Sequence, residues 1–505
     1  MSKLFLAIDL GSSACKVLAA DARGREISAA SAECRVRRPG PDQQVQDLEE
    51  VWRSAVTAVN KAVSKRIAPD ISAIAFSSVM HGFMPVGKDS RPLMPMLTWA
   101  DGRAQEEAQT LARKFGRGIY ERTGCMPTAL YHPARILWLK NHAPVIFKKA
   151  ARFASIKDAI VHRLTGNWTV DKSHASSNGL LNIHKLSWDS PLLEAVGIGP
   201  ERLPGLVEPD GVAGELSASC AKTLGLSPGL PVIAGAGDGG LANLGSGAME
   251  PGQIAATIGT TGAMRKVLGR PWISPSRKIW CYYLASNLWY AGGAINSGGI
   301  IMRWMRDNLF AIERDAAARN GVDPYSLITG LAKAAGPGAA GLLFLPYLFG
   351  ERTPYWNPEA RGVIFGLAPH HGKAHIARAG LEGISYCLAH IFELLRGSPG
   401  GTKEIRASGG FARSDMWVQL FADVLGRPVA LSKVKENSAM GAAILAMKAT
   451  GAIKDLREGR NLVQVKKVFE PDLKKARFYQ ERFAMFKDLY DHLEPDFARW
   501  AKLQK

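Results

Sequence analysis

Asp9-Leu10-Gly11-Ser12-Ser13 sets a carboxylate at the end of an apolar run, directly before a glycine and two hydroxyl residues. Such a turn offers N–H groups and hydroxyls to phosphate oxygens. Its aspartate can hold a hydrated divalent cation, because Mg2+ keeps several waters and takes only one or two carboxylates. The same letters also suit an ordinary hairpin turn. Gly259-Thr260-Thr261-Gly262 repeats the pattern in the second half of the chain, and two such turns facing each other would clasp a triphosphate. No G-x-x-x-x-G-K-[ST] segment occurs, so an ATP enzyme built on these turns is not of the P-loop type. Asp238 stands among the four glycines of Gly235-Ala236-Gly237-Asp238-Gly239-Gly240, without bulky neighbours to shield it. It suits a general base that accepts a hydroxyl proton while that oxygen attacks phosphorus, and equally an aspartate used for turn geometry or helix capping.

Trp99, Asp101 and Arg103 alternate along the chain, which on an extended strand aims all three side chains the same way. An indole face for sugar C–H groups, a carboxylate for hydroxyls and a guanidinium fork would make a polyol site. A salt bridge on a half-exposed strand is the plainer reading. Met80-His81 follows the apolar run Ile71 to Ser77, at a strand end where α/β proteins place ligands, although a single histidine also serves as a structural residue. Ser408-Gly409-Gly410 ends another strand, and its small residues would let a flat purine or ribose lie on backbone.

The elements that must position these groups follow from periodicity. Leu4 to Leu10 and Ala14 to Ala20 read as strands joined by a glycine turn. Leu48 to Lys65 repeats apolar residues at helical spacing, and Ile71 to Ser77 reads as a buried strand, an order that indicates an α/β domain. Leu230 to Ala236 and Gln253 to Ile258 open a comparable series. Helices are expected over Ala374 to Leu395 and Asp415 to Leu425, with an amphipathic terminal helix over Ala476 to Leu503 packed on the body. Two related lobes result, divided near Ala248 to Gly252 into residues 1–248 and 249–505.

The chain has 505 residues, 47% hydrophobic and 22% charged, enough for two ordinary cores and too apolar for a disordered tail. Lys plus Arg exceed Asp plus Glu by 64 − 45 = 19, which favours anionic small partners such as nucleotides, phosphates or sugar acids. The basic residues are scattered and not interleaved with aromatics, which argues against a nucleic-acid binder. Six well-separated cysteines without a C-x-x-C pair read as free thiols in a reducing compartment, with neither zinc ribbon nor redox pair. No apolar stretch reaches the ~20 residues of a membrane helix. Met1 leads straight into a strand without a basic flank, apolar stretch and cleavage site. A soluble cytoplasmic protein without membrane partner is the expectation.

Taken in order, these residues resemble the FGGY family of carbohydrate kinases, which share the two-lobed actin/hexokinase-like ATPase fold with ribonuclease H-like lobes and a cleft between them. Gly362-Val363-Ile364-Phe365-Gly366-Leu367, followed after seven residues by His375 to Glu382, is similar to the family's second signature. Met126 to Asn141 is similar to the first, with Arg135 where Lys is usual. The resemblance implies that residues 1–248 carry the sugar site and base, and residues 249–505 the nucleotide. ATP and Mg2+ are the implied cofactors. Asp9 would support the metal, and Asp238 would be the catalytic base beside the substrate. Gly11, Ser12, Ser13, Lys16, Gly259, Thr260, Thr261, Gly262, Gly409, Gly410 and Asn437 would hold ATP, while Met80, His81, Trp99, Asp101 and Arg103 would face the sugar. The implied partners are a sugar or sugar acid and a nucleotide, with a homodimer left open.

The strings Phe76 to His81, Thr98 to Arg103 and Gly350 to Asn357 look most like gluconokinases of this family, while Met80-His81-Gly82 and Gly350 to Pro354 are also similar to xylulokinases. Gluconate brings a carboxylate that wants a cation, and Arg103 or Arg352 could serve. A pentulose or other polyol is the alternative acceptor. A non-catalytic actin-like ATP-binding module is the alternative of another class.

Overall fold

Near-continuous apolar runs become strands buried on both faces, and these form the centre of the first of two large sheets. The computed structural model describes residues 3–503; Met1, Ser2, Gln504 and Lys505, the outermost residues of the two expected lobes, lie outside them. The chain divides into two compact units: Met1–Pro251, Val267–Tyr290 and Glu436–Gln464 form the first, and Gly252–Lys266, Ala291–Lys435 and Val465–Lys505 the second.

In the first unit a six-stranded sheet runs in the order Val212–Glu215, Pro231–Gly237, Ile71–Ser78, Leu4–Leu10, Ala14–Asp21, Glu26–Glu33. The last three strands are an antiparallel meander, as the opening sequence suggests. Leu4–Leu10, Ile71–Ser78 and Pro231–Gly237 are mutually parallel neighbours, so their carboxyl ends open on one edge. Leu4, Leu6, Ile8 and Leu10 pack with Val51, Ala55 and Val59 of the helix Leu48–Ala62, whose start is capped by Asp47 accepting from the Glu50 N–H at 3.0 Å. The helix Asn437–Ala449 also packs on Leu4–Leu10 and Ile71–Ser78.

That helix crosses Asp238–Ser246 at two glycines. A Cβ on Gly245 would lie 1.8 Å from the Asn437 carbonyl oxygen, and one on Gly441 would lie 2.1 Å from that of Leu241. Only glycine permits backbones this close.

The second unit repeats the plan. Its sheet includes, in order, Gly262–Leu268, Gln253–Ile258, Glu404–Ser408, Val429–Ser432 and Val465–Phe469. The first pair is antiparallel, the next two pairings are parallel, and the last is antiparallel. The helix Lys373–Arg396 buries Leu381, Ile384 and Leu388. The terminal helix Leu473–Leu503 docks through buried Tyr479, Phe486 and Tyr490, and Tyr479 donates to Glu382 Oε1 at 3.1 Å. The amphipathic segment expected at the C-terminus is therefore a packed helix. Among the described residues no helix is long and apolar enough to cross a membrane, and all six cysteines are buried free thiols.

Candidate active site

The parallel edge of the first sheet brings together residues far apart in the chain. Asp9 pairs in register with Ser77 on the neighbouring strand, and Ser77 and Ser78 pair with Ala236 and Gly237 on the next. Asp238 follows at once as the first residue of the helix Asp238–Ser246. The two carboxylates singled out from the sequence thus belong to one sheet edge of one unit.

Ser77 Oγ donates to Asp9 Oδ1 at 2.6 Å, and Asp238 Oδ1 accepts from the Gly239 N–H at 2.7 Å. Burial pushes the Asp9 carboxyl up to about 6; the Ser77 hydrogen bond and Lys16 oppose the rise, while the charges of Asp238 and Glu436 add to it. A carboxylate crowded by like charges is relieved by a cation. Hard oxygen donors suit Mg2+, and among the described residues no group of three or more His, Cys, Asp or Glu could hold a metal. A cation here would therefore take one or two carboxylates and complete its shell with water and phosphate oxygens.

The turn after Asp9 is closed by the Gly11 N–H donating to the Ala14 carbonyl at 3.1 Å. A Cβ on Gly11 would stand 2.7 Å from that oxygen, so the turn needs glycine. Trp99 Nε1 donates to Ser12 Oγ at 3.3 Å, and Gln46 Nε2 to the Ser12 carbonyl at 2.8 Å. Lys16, on the returning strand, pairs with Glu436 at 2.7 Å. Asn437 follows Glu436 as the first residue of its helix.

Met80 lies against Gly237, where an added Cβ would come 2.6 Å from Met80 Cγ. His81 has φ 67°, a left-handed conformation rare for histidine. Its Nδ1 is 2.8 Å from the Ser177 carbonyl oxygen, and its ring meets Tyr131 edge to face at 5.5 Å.

The Trp99 segment departs from the expected extended strand. The strand ends at Leu97, and residues 98–103 follow as turns. Asp101 and Arg103 are turned onto each other, with Arg103 Nε and Nη2 donating to Asp101 Oδ1 and Oδ2 at 2.7 and 2.9 Å. Asp101 Oδ2 also accepts from the Gln44 N–H at 2.9 Å. Two-residue spacing fits strand alternation, but a turn followed by a bidentate ion pair satisfies it as well.

A buried charge group braces the strand that leads to Asp238. Lys157 Nζ lies 2.8 Å from Asp171 Oδ2 and donates to the Ala234 carbonyl at 3.2 Å. Burial would raise the Asp171 carboxyl, but Lys157 and His174 outweigh it and hold the group down to about 2. Sequence reading missed this group, since no motif marks it.

In the second unit Gly259-Thr260-Thr261 forms the predicted turn, with the Gly259 N–H donating to the Thr261 carbonyl at 2.9 Å. The helix Gly299–Asn308 docks on it: the Gly299 and Ile300 N–H groups donate to the Gly259 and Thr260 carbonyls at 2.7 and 3.0 Å. Gly409, at φ 101°, abuts Ile258, where a Cβ would come 2.4 Å from the carbonyl oxygen. Gly259 to Gly262 and Gly409-Gly410 therefore meet at one strand end. Arg352 also lies in this unit, its Nη2 3.3 Å from the Ile295 carbonyl oxygen. Beside it Glu351 Oε1 accepts from the Asn296 and Arg352 N–H groups at 2.6 and 2.7 Å.

Residues 4–245 match the N-terminal domain of the FGGY family of carbohydrate kinases, and residues 255–450 match its C-terminal domain. The chain belongs to this family. This FGGY kinase is 35% identical to a gluconokinase of Bacillus licheniformis over 507 aligned positions, covering 100% of this chain and 99% of that one. It is 29% identical to a xylulose kinase of Escherichia coli, covering 98% and 100%. The solved structure of gluconate kinase from Lactobacillus acidophilus superposes with a TM-score of 0.92 at 31% identity, covering 99% of this chain and 100% of that one. The mixed α/β two-domain fold expected from the sequence is the family's fold, and the FGGY kinase is a phosphotransferase with an alcohol acceptor.

Proposed function

We propose that this FGGY kinase transfers the γ-phosphoryl group of ATP to the terminal primary hydroxyl of D-gluconate, forming 6-phosphogluconate. The observation that carries the reading is that Asp9 and Asp238 stand at the same edge of one sheet, on the strand ends that flank Ile71–Ser78. The full-length likeness to gluconokinases supports the choice of acceptor.

Asp238 accepts the hydroxyl proton as the acceptor oxygen attacks the γ-phosphorus and the bond to ADP breaks. Its neighbours Gly237, Gly239 and Gly240 have no side chains to shield it. Asp9 would hold Mg2+, which would neutralise charge on the phosphate oxygens. Gly11 to Ser13, Lys16 and Gly259 to Gly262 bind phosphates, and Gly409, Gly410 and Asn437 border the adenosine. Met80, His81 and Trp99 orient the sugar, with Asp101 and Arg103 acting as one ion-paired unit. Arg103 or Arg352 meets the gluconate carboxylate. Positioning and charge neutralisation supply most of the acceleration. In this reading residues 1–248 serve sugar and base and residues 249–505 the nucleotide, with Gly11 to Lys16 and Arg352 crossing that division and Asn437 belonging to the first compact unit.

Sugar-dependent ADP release, measured for gluconate, xylulose, ribulose and glycerol and ranked by kcat/KM, tests the proposal. Gluconate should rank first. A neutral ketose in first place would overturn the gluconate assignment and favour the xylulose reading, to which relatives at 29% identity give weight. Absence of ADP release with all four would overturn the gluconate assignment and point to an acceptor outside this set.

A further inference from the structure

Arg135 is fully buried, 0% exposed, in the helix His132–His142, and every hydrogen-bond partner of its guanidinium is a backbone carbonyl. Nε donates to Ala129 at 3.0 Å, Nη2 to Thr98 at 2.5 Å, and Nη1 to Leu97 at 3.3 Å and also to His81. These carbonyls belong to three separate stretches of chain, two of which carry the residues read as facing the sugar. Burial pushes the Arg135 group down to about 10, with Asp101 opposing and Arg103 adding to the fall, so it remains a cation at neutral pH. Burying a guanidinium is expensive unless its donors are satisfied. A planar fork of five donors can serve four carbonyls at once; a lysine, with three donors on one nitrogen, cannot span them.

The nearby carboxylate is already engaged, because Asp101 is matched by Arg103 and the Gln44 N–H. Two guanidiniums against one carboxylate leave this trio with one positive charge in excess.

We propose that Arg135 is a positioning residue for the acceptor site: it ties the His81 turn to the Thr98–Arg103 turns, and the surplus charge favours an acceptor bearing a carboxylate. The inference rests on the reading that these turns face the sugar. It does not use the roles proposed for the phosphate turns or for Asp238.

The experiment compares wild type, Arg135→Lys and Arg135→Gln. In the lysine variant the clamp is lost and the charge is kept, so KM for gluconate should rise about tenfold while KM for ATP stays unchanged. The ratio of kcat/KM for gluconate over xylulose should also stay near wild type. In the glutamine variant that ratio should fall about tenfold as well. Hydrogen exchange without ligands should quicken in both variants at residues 80–83 and 97–103 ahead of the rest of the first unit.

An unchanged gluconate KM in the lysine variant, or equal rises in both KM values, would overturn the proposal. So would a retained gluconate preference in the glutamine variant, or failure of both variants to fold. If wild type turns over no acceptor, the functional reading fails on its own, and local exchange still decides whether Arg135 ties the two turns.

Discussion

In the first unit the strand Leu4–Leu10 turns back at Gly11, and its penultimate residue, Asp9, faces Ser77 on the parallel neighbour. In the second unit the strand Gln253–Ile258 turns back at Gly259, and its penultimate residue, Thr257, faces Ser408 on the parallel neighbour. The serine is common to both, at 2.6 Å from Asp9 Oδ1 and 3.2 Å from Thr257 Oγ1. What differs is the partner. A hydroxyl at this position closes a hydrogen bond between strands and does little more, whereas a carboxylate can hold a cation and responds to charge around it. The third strand widens the contrast, since Pro231–Gly237 runs straight into Asp238 and its helix. One sheet plan thus appears twice, and both proposed catalytic carboxylates stand on the first copy.

Removing the base should separate the two copies most sharply. Asp238→Asn is expected to lower kcat about 10^3-fold while nucleotide affinity, measured by calorimetry, changes less than about twofold. Near-normal turnover would remove Asp238 from its role. Asp9→Asn should come next, with kcat lower by about 10^2-fold and a higher Mg2+ concentration needed for half-maximal rate; an unchanged Mg2+ titration would show that the metal is held elsewhere.

Its counterpart Thr257→Ala should lose about 1 kcal/mol of stability and leave kcat within about twofold, because it removes one interstrand hydrogen bond. A large loss of turnover there would erase the distinction between the two strand ends. An effect on stability alone, with none on turnover, should appear at Glu351 of the second unit, whose carboxyl is pushed up to about 7 by burial, against which the Asn296 and Arg352 N–H groups act. A carboxyl raised in the folded state binds protons that the unfolded chain has released, so stability falls as pH rises from about 4.5 to about 7. Glu351→Gln keeps an oxygen for both N–H donors and should raise stability at pH 8 by on the order of 1 kcal/mol, with no gain near pH 4. Denaturant melts at the two pH values check the sign.

Much of the scaffold was legible because its signals are local. The apolar run before Asp9, the glycine turn behind it, and the glycines around Asp238 need only neighbouring residues to be read, and the strands and helices lie within a few residues of the expected spans. For Asp101 and Arg103 the strand does not hold but the salt bridge given as the plainer reading does, because a spacing of two fits strand alternation and a turn-borne ion pair alike. Ser77 is legible only as the end of an apolar run and as part of the Phe76 to His81 string, since a serine there has no signature of its own as a partner for Asp9. Arg135 was visible only as an arginine where lysine is usual, and Lys157, Asp171 and His174 not at all.

From sequence alone come the identities of the two carboxylates, the phosphate-type turns and the order of strands that could carry them. The tertiary structure decided which groups meet: that Asp9 and Asp238 share one edge, that Asp101 is taken by Arg103, and that a buried guanidinium gathers carbonyls from three stretches of chain. The physical reason is range. Turn and strand preferences act over a few residues, whereas a hydrogen bond or a shift in acidity depends on distances of a few ångströms between groups that chain order does not bring together.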